Sequence, residues 1–242
     1  MKAVLLAAGK GTRISRMIEQ VPKSTLPING VPLIRYTVEM LMERGIECCV
    51  CVGYEKNKIY EALNGLEITY FNNPFYNVTN SIASLWFAKD FMDDDMIIMN
   101  ADVFISEEIL ELVLSQKHDN VMAIDKTRTE IGDYFFQTTD SGSLKKYGKE
   151  LPLRDRSGEY VGLAKLDRSF LPCFIGRLDE MIDELKHDKW WENVLYSMTE
   201  ERSINTVDIN GLFWSEIDYF DDYERILNYI ESSNKVITSN TL

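Results

Sequence analysis

The chain has 242 residues, with 26 Lys+Arg against 39 Asp+Glu, and its formal net charge is −13. A protein that binds nucleic acid chiefly through the phosphate backbone carries a basic surplus, so this composition excludes a general nucleic-acid binder. Residues 1–35 differ from the rest, because six cations there face a single anion and give a local balance of +5. We therefore expect any bound anion to lie near the N-terminus.

The apolar content of 45 % suits one compact domain that spans residues 1–242. No apolar stretch approaches the roughly 20 residues that a membrane helix needs, so we expect no membrane partner. Three of the four cysteines crowd one apolar run, Cys48 to Cys51, and no zinc-type spacing is present. Neighbouring residues of a strand point to opposite faces, so Cys48 and Cys49 are poorly placed to form a disulfide with one another. We therefore predict reduced thiols, which are typical of cytoplasmic proteins.

Short apolar runs alternate with amphipathic stretches through the first half of the chain. This alternation is typical of strands joined by crossover helices and predicts a mainly parallel, buried sheet. The predicted strands are Lys2–Ala7, Ile46–Val52, Glu67–Phe71, Met96–Asn100 and Val121–Asp125. The predicted helices are Leu33–Arg44, Glu55–Leu63 and Asn80–Phe91.

The second half reads as a smaller antiparallel extension followed by helices. The predicted strands are Tyr134–Thr139, Ser143–Tyr147, Glu159–Lys165 and Ser203–Asp208, and the predicted helices are Leu178–Lys186, Trp190–Met198 and Tyr219–Ser232. We therefore predict a Rossmann-like, three-layer α/β/α fold with a mainly parallel mixed sheet and a small antiparallel extension. Such sheets bind ligands at the carboxyl ends of their strands.

The strongest local signal is the stretch from Leu5 to Arg13, LLAAGKGTR, where a strand runs into a loop with two glycines. Glycines let the backbone approach a phosphate chain, and Lys10 and Arg13 add full positive charge, so a triphosphate suits this loop. The alternative is a tight turn with incidental surface cations. A Walker A loop is excluded because Gly11 follows Lys10, and the dinucleotide fingerprint is excluded because Ile14 replaces its third glycine.

Two motifs together resemble the signature of nucleotidyltransferases of the nucleoside-diphosphate-sugar pyrophosphorylase type. The first is L-A-A-G-x-G-x-R, and the second is the P-K of Pro22-Lys23. The resemblance implies a nucleotidyltransferase in which Arg13 and Lys23 are catalytic and hold the phosphates, with Lys23 at the α-phosphate. It also implies that the triphosphate is wrapped by the loop residues Leu6, Ala7, Ala8, Gly9, Lys10, Gly11 and Thr12.

Attack on a triphosphate needs a metal, because Mg²⁺ bridging the phosphate oxygens offsets their repulsion. Asp102 follows a buried strand and therefore stands at the carboxyl edge of the sheet, although a solvated loop aspartate is the alternative. The run Asn100-Ala101-Asp102 resembles the metal-binding aspartate of the family. We accordingly expect Mg²⁺ as the cofactor.

A late motif, Trp214-Ser215-Glu216-Ile217-Asp218, resembles that of small cytidylyltransferases related to phosphocholine cytidylyltransferase. The resemblance implies that Asp218 is a catalytic residue and completes the metal site with Asp102. Glu216 either assists at the acceptor or points into the sheet.

The segment from Asn77 to Leu85 resembles the N-x-x-S-L stretch of the same group. Asn80 and Ser81 are expected to distinguish a pyrimidine edge by hydrogen bonding, and an N-cap at Thr79 or Asn80 is the competing interpretation. Gly53 and Tyr54 match the glycine–tyrosine pair that lies near the base in this family.

Acceptor binding is assigned to a subregion at about 126–200. Trp190, Trp191 and Glu192 combine aromatic faces with a carboxylate, which suits an ammonium group, although ordinary helix packing would produce the same pattern. Phosphocholine and 2-aminoethylphosphonate cytidylyltransferases are similar at this point of the chain. Glu159 and Lys165 match a strand that lines their acceptor pocket.

We therefore predict a Mg²⁺-dependent cytidylyltransferase that transfers CMP from CTP to a small phosphorylated or phosphonylated acceptor and releases pyrophosphate. The expected partners are these two substrates and a second copy of the chain in a homodimer. A sugar-1-phosphate nucleotidyltransferase shares the first loop and is the nearer alternative. A nucleotide-binding regulatory module without turnover is the alternative from another class.

Overall fold

The structure is a computed structural model that describes residues 1–11, 21–117 and 120–239, with side chains described as far as residue 233. The strands are β1 Lys2–Leu6, β2 Pro27–Ile28, β3 Val31–Pro32, β4 Glu47–Val52, β5 Thr69–Asn72, β6 Met96–Asn100, β7 Val103–Ile105, β8 Asn120–Asp125, β9 Phe135–Thr138, β10 Leu144–Gly148, β11 Gly158–Leu166, β12 Asn205–Asp208 and β13 Trp214–Glu216. The helices are α1 Leu33–Met42, α2 Lys56–Ala62, α3 Ser81–Phe87, α4 Glu107–Leu114, α5 Leu171–Asp183, α6 Glu192–Tyr196 and α7 Phe220–Ser239.

A mixed sheet organises the described residues. Strands β5, β4, β1 and β6 run parallel in that order, β11 lies antiparallel between β6 and β8, and β12 runs parallel to β8. The hairpin β9–β10 joins the start of β11. Leu6 of β1 lies opposite both Cys51 and Asn100, so the carboxyl ends of three parallel strands reach one edge together. The predicted parallel sheet with an antiparallel extension is confirmed.

Helices cover both faces of the sheet, because alternate strand residues point to opposite sides. Val4 and Leu6 belong to the core under α3, α5 and α6, whereas Ala3 and Leu5 belong to the core under α1, α2 and α4. A smaller third core forms where α7 meets the β7–β13 pair, around Phe104, Ile217 and Ile226. The result is the predicted three-layer arrangement.

Several elements depart from the sequence prediction. The antiparallel pair of β7 and β13 joins Ile105 to Trp214, which a search for local periodicity does not detect. The predicted helix Asn80–Phe91 is divided, because α3 ends at Phe87 and a 3₁₀ turn follows at Lys89–Phe91. Helix α5 begins at Leu171 rather than Leu178, with a proline in its first turn, a position that tolerates the missing N–H.

All four cysteines lie in the described part of the chain and are free thiols, as predicted. Burial raises the pKa of the Cys48 thiol to about 12, so this group stays protonated at neutral pH. Within the described ranges, no helix combines the length and apolar character that crossing a bilayer requires.

Gly162 interrupts the register of β11 against β8, and its φ is +87°. A Cβ built there would lie 2.9 Å from Val103 Cγ2, whereas Gly142, with φ +85°, has open space around it.

We expect Gly142→Ala to cost roughly 1–2 kcal/mol from backbone strain alone. Gly162→Ala should cost about 2–4 kcal/mol, because overpacking adds to that strain. Urea unfolding of both variants measures the difference, and equal losses would show that the strand absorbs the Cβ.

Candidate active site

A cavity of about 480 Å³ opens at the carboxyl edge of β1 and β6. Its volume lies in the range of small-molecule sites. Most residues singled out from the sequence line it, namely Leu6, Ala8, Gly9, Lys10, Gly11, Lys23, Asn80, Ser81, Asp102, Glu159, Glu192, Glu216 and Asp218. Ala7 lines a smaller cavity beside it. The fold thus brings together groups from the first 25 residues, the middle of the chain and its last quarter.

The loop after β1 is held against the end of β4. The Tyr54 amide donates to the Ala8 carbonyl at 3.1 Å, and a Cβ on Gly53 would lie 2.9 Å from that same oxygen. Gly53 and Tyr54 therefore support the loop, and neither is among the residues lining the cavity. The Lys10 ammonium lies 5.8 Å from the centre of the Tyr54 ring. Thr12 and Arg13, both assigned to the phosphates, lie outside the described residues.

Lys23 is the charged centre of the site. Its Nζ lies 2.5 Å from Asp218 Oδ1 and 3.6 Å from Asp102 Oδ2, and only 8 % of its side chain is exposed. Gly11, with φ +58°, makes room for the Lys23 methylenes, since a Cβ there would lie 2.9 Å from Lys23 Cε. Burial alone would lower the Lys23 pKa, but the two aspartates outweigh it and raise that pKa. Lys23 therefore stays protonated.

Backbone hydrogen bonds bring the two aspartates together. Ala101 N donates to Leu6 O at 3.2 Å, which ties the turn after β6 to β1. Ile217 N donates to Asp102 O at 3.0 Å, which fixes the segment that carries Asp218 beside Asp102. A pair separated by more than a hundred residues in sequence thus faces one ammonium.

Carboxyl groups outnumber the single ammonium at this centre. Burial raises the pKa of Asp102, and the charge of Asp218 adds to that effect. Burial, together with both aspartates, raises the pKa of Glu216 well above its ordinary value. Glu216 lines the cavity, and its assignment to the acceptor stays a prediction. Three carboxyl groups around one ammonium leave a surplus of oxygen ligands suited to a hard cation.

Within the described part of the chain, no group of three or more His, Cys, Asp or Glu side chains is gathered as a ready metal cluster. Mg²⁺ commonly uses one or two protein carboxylates and completes its shell with phosphate oxygens and water. The donor set of Asp102 and Asp218 fits that pattern, and the assignment of both residues to a metal stays a prediction.

Trp191 does not reach the cavity, contrary to its assignment to the acceptor. Its side chain is 0 % exposed, and its indole Nε1 donates to Asn100 Oδ1 at 3.0 Å. Trp190, one residue earlier, is 41 % exposed and lines the cavity. The ring that faces the cavity is therefore Trp190, and Trp191 belongs to the core.

Lys165 also lies away from the cavity. Strand β11 runs antiparallel to β6, so its first residues reach the carboxyl edge of the sheet while its last residues reach the opposite edge. Six residues of strand separate Lys165 from Glu159, a distance of about 20 Å. The Lys165 ammonium donates to the carbonyls of Leu114 and Gln116 at the end of α4. Its assignment to the acceptor is corrected to a helix-capping contact.

Glu159 lines the cavity, but its carboxylate is already engaged. Arg128 Nε lies 3.0 Å from Glu159 Oε2, and Asp133 N donates to Glu159 Oε1 at 2.7 Å. Glu159 therefore anchors the loop that carries Asp133, and this anchoring positions one wall of the cavity.

Glu192 is buried at the start of α6 and lines the cavity. Its Oε1 accepts from Asn100 Nδ2 at 3.4 Å, and burial raises its pKa to about 7. The orientation of the Asn100 amide is fixed because its other end accepts from Trp191. Glu192 thus meets an amide rather than a cation.

Asn80 and Ser81 serve the start of α3. Asn80 Oδ1 accepts from Ser81 N at 2.8 Å, which is the N-cap geometry of the competing interpretation, and Ser81 Oγ accepts from Trp191 N at 2.9 Å. Both residues also line the cavity, so capping and ligand contact are compatible here.

Sequence reasoning missed other residues that line the cavity, among them a polar network and several tyrosines. Buried Asn73 donates through Nδ2 to Thr79 Oγ1 and Ser84 Oγ, both at 3.0 Å. Its place just after β5 was an available signal. The remaining missed residues are Tyr76, Asn100, Asp133, Tyr134, Lys149, Tyr160, Gly162 and Tyr196.

The fold and this site together define a nucleotidyltransferase. A family model described as the MobA-like NTP transferase domain matches residues 3–172. The chain therefore belongs to the MobA-like NTP transferase family, and the predicted resemblance is confirmed.

Named relatives fall within the same class. A CTP:phosphoglutamine cytidylyltransferase of Campylobacter jejuni is 29 % identical over 250 residues, which cover 93 % of this chain and 98 % of that protein. A 2-aminoethylphosphonate cytidylyltransferase of Lancefieldella rimae is 29 % identical over an alignment that covers 89 % of this chain and 87 % of that protein. The solved structure of a CTP:phosphocholine cytidylyltransferase from Streptococcus pneumoniae shares the fold, with a TM-score of 0.78, 21 % identity and coverage of 95 % and 98 %.

The raised pKa of Glu192 makes stability depend on pH. Because its folded pKa of about 7 lies above its ordinary value of 4.5, the folded state holds an extra proton between these pH values. The associated stability is present below pH 4.5 and is lost as the pH rises through 7. Glu192→Gln keeps an acceptor for Asn100 but cannot ionise. We expect wild type to lose about 2–3 kcal/mol more than this variant between pH 5 and pH 8.

Urea unfolding at the two pH values measures this difference. Parallel pH profiles for wild type and Glu192→Gln would contradict a buried carboxyl with a raised pKa.

Proposed function

We propose that the protein is a Mg²⁺-dependent cytidylyltransferase that transfers CMP from CTP to a small phosphorylated or phosphonylated acceptor and releases pyrophosphate. The observation that carries this proposal is the Lys23 ammonium held between Asp102 and Asp218, beside the glycine loop of β1. The choice of CTP and of this acceptor class is supported by the activities that the relatives' names state.

The triphosphate fits the end of the cavity formed by the loop after β1. Gly9 and Gly11 leave the backbone open to phosphate oxygens, and Lys10 adds a cation there. Asp102 and Asp218 would hold Mg²⁺, which when bound neutralises phosphate charge and orients the leaving pyrophosphate. Lys23 then faces the α-phosphate, where its charge stabilises the transition state.

The reaction needs no covalent enzyme nucleophile. An oxygen of the acceptor phosphate or phosphonate forms a bond to the α-phosphorus of CTP. The bond from that phosphorus to the bridging oxygen breaks, and pyrophosphate leaves with the electron pair. Positioning and charge stabilisation therefore supply most of the rate.

A pyrimidine base is supported by the polar groups between β5 and α3. Asn73, Thr79 and Ser84 form one hydrogen-bonded network at the cavity wall, and Asn80 lies beside it. Amide and hydroxyl groups can donate to and accept from a cytosine edge. Burial fixes the Asn73 amide, which holds the Thr79 and Ser84 hydroxyls in place at the cavity wall.

Reduced thiols support a cytoplasmic location as a further part of this proposal. The homodimer stays a prediction from the sequence.

A screen of the four ribonucleoside triphosphates against phosphocholine, 2-aminoethylphosphonate, phosphorylated amino acids and polyol phosphates tests the proposal directly. Pyrophosphate release with Mg²⁺ is the readout. We expect release with CTP and at least one of these acceptors, and release only with sugar 1-phosphates would support the sugar alternative instead.

Asp102→Asn removes one of the two proposed metal-binding carboxylates while keeping the shape of the side chain. We expect kcat to fall by about 10²-fold or more, the range seen when an electrostatic group of the transition state is lost. The matched control is Asp221→Asn, an exposed acid at the start of α7, which should leave kcat unchanged. Near wild-type turnover of Asp102→Asn in Mg²⁺ would contradict the metal assignment.

Lys23→Ala tests the role of the ammonium in the transition state. We expect kcat to fall by about 10²-fold or more with a smaller change in the KM for CTP, because the charge acts mainly on the transition state. Removing the ammonium also leaves buried carboxylates unpaired, so circular dichroism should first establish that the variant folds. A change confined to KM would instead mean that Lys23 binds substrate and transition state equally.

A further inference from the structure

Aromatic side chains form one wall of the cavity away from the phosphate loop. The Trp190 ring stands at 89° to Tyr134 with 5.7 Å between ring centres, and Tyr134 stacks on Tyr196 at 5.7 Å. All three line the cavity. A partly exposed indole face is a preferred binding place for a cation.

A cation of the chain itself already occupies that indole face. Lys149 follows β10, and its Nζ lies 5.3 Å from the centre of the Trp190 ring, within the range of a cation–π contact. A quaternary ammonium group of a ligand would have to share the face with this ammonium. Because like charges repel, Lys149 disfavours such a ligand.

The ionic partner of Lys149 is weakly held. Asp133 Oδ2 lies 3.1 Å from Lys149 Nζ, with side-chain exposures of 52 % and 37 %. Exposed pairs of this kind contribute little to stability, so Lys149 can exchange Asp133 for an anionic ligand group at low cost.

Lys149 is the cation of this wall, whose carboxyl groups are already engaged: Glu159 pairs with Arg128, Asp133 with Lys149 itself, and Glu192 accepts from Asn100. Among the described residues that line the cavity, the cations are Lys10, Lys23 and Lys149, and the first two lie at the phosphate end. Arg128 is engaged with Glu159. An anionic group far from the phosphate end would therefore meet Lys149.

We propose that Lys149 is a specificity-determining residue that selects acceptors bearing a carboxylate and disfavours acceptors bearing a trimethylammonium group. This inference rests on the proposed function and names the acceptor class within it. The acceptor is then a phosphorylated or phosphonylated molecule with a carboxylate on the carbon chain, of which phosphorylated amino acids are the simplest examples.

Matched acceptors that differ by one carboxylate test this inference. O-phosphoserine is phosphoethanolamine with an added carboxylate, and O-phosphohomoserine bears the same relation to 3-aminopropyl phosphate. We expect the carboxylate member of at least one pair to have a kcat/KM about tenfold or more above its partner, and phosphocholine to be a poor substrate. Equal use of both members in both pairs, or a preference for phosphocholine, would overturn the inference.

Variants of Lys149 separate charge recognition from a structural role. Lys149→Met should lower kcat/KM for the carboxylate acceptor by about ten- to a hundredfold, the effect of losing one charge-assisted contact, while the KM for CTP stays unchanged. Lys149→Glu should raise kcat/KM for phosphocholine, an improvement that a damaged fold would not give. Lys146→Met is the control, since Lys146 pairs with Asp155 at 3.0 Å and does not line the cavity. An unchanged acceptor ratio in Lys149→Met would contradict the assignment.

Calorimetric titration measures acceptor binding without turnover, so it tests this inference independently of the proposed function. If no acceptor supports pyrophosphate release from any triphosphate, the proposed function fails. Binding of the same acceptor pairs in the presence of CMP still reports carboxylate selectivity, which Lys149→Met should abolish. Equal affinities within both pairs would overturn the role of Lys149 even where turnover is observed.

Discussion

The contact of Lys23 with Asp102 and Asp218 is the interaction on which the site depends. It joins three distant segments: the 3₁₀ turn that contains Lys23, the turn after β6 that contains Asp102, and the segment that contains Asp218, 195 positions after Lys23. Burial makes each of these charges unfavourable alone, and their proximity makes the set tolerable. Two features of the fold make this contact possible. Gly11 has no Cβ that would clash with the Lys23 side chain, and the hydrogen bond from Ile217 N to Asp102 O holds the two carboxylates together. The acidic composition outside the first 35 residues therefore includes the groups that hold the central cation.

Much of the first half of the fold could be predicted from the sequence, because its signals are local. Strand Met96–Asn100 was predicted with its observed bounds, and β1 and β4 were predicted to within one residue at each end. The pair β7–β13 was missed because its two strands are three residues long and far apart in the chain. Pairing energy between such segments comes from tertiary contact, which periodicity cannot report.

The site residues, too, could be predicted where the signal was local and could not where it depended on tertiary contacts. Asp102, just after β6, was expected at the carboxyl edge of the sheet and lines the cavity there, because strand polarity fixes the edge that such a residue reaches. Lys165 failed for the same reason, since an antiparallel strand carries its two ends to opposite edges and the direction of β11 was unknown. Trp191 failed because two neighbouring indoles look alike in sequence, and only packing separates the buried ring from the exposed one. Lys149 could not be singled out from the sequence, because its contact with the Trp190 ring, 41 positions later, is visible only in the folded structure.

The succession Trp190, Trp191 and Glu192 has a consequence for how such an enzyme can diversify. Trp190 lines the cavity, Trp191 packs in the core and orients Asn100, and Glu192 lines the cavity again. Under the proposed function, substitution of Trp190 or Lys149 would alter the shape and charge of the acceptor wall, while the core and the Lys23–Asp102–Asp218 contact stay in place. The proposed acceptor wall and the proposed transfer centre are therefore separable under selection, so a lineage with this arrangement would change its acceptor without rebuilding the contact of Lys23 with the two aspartates.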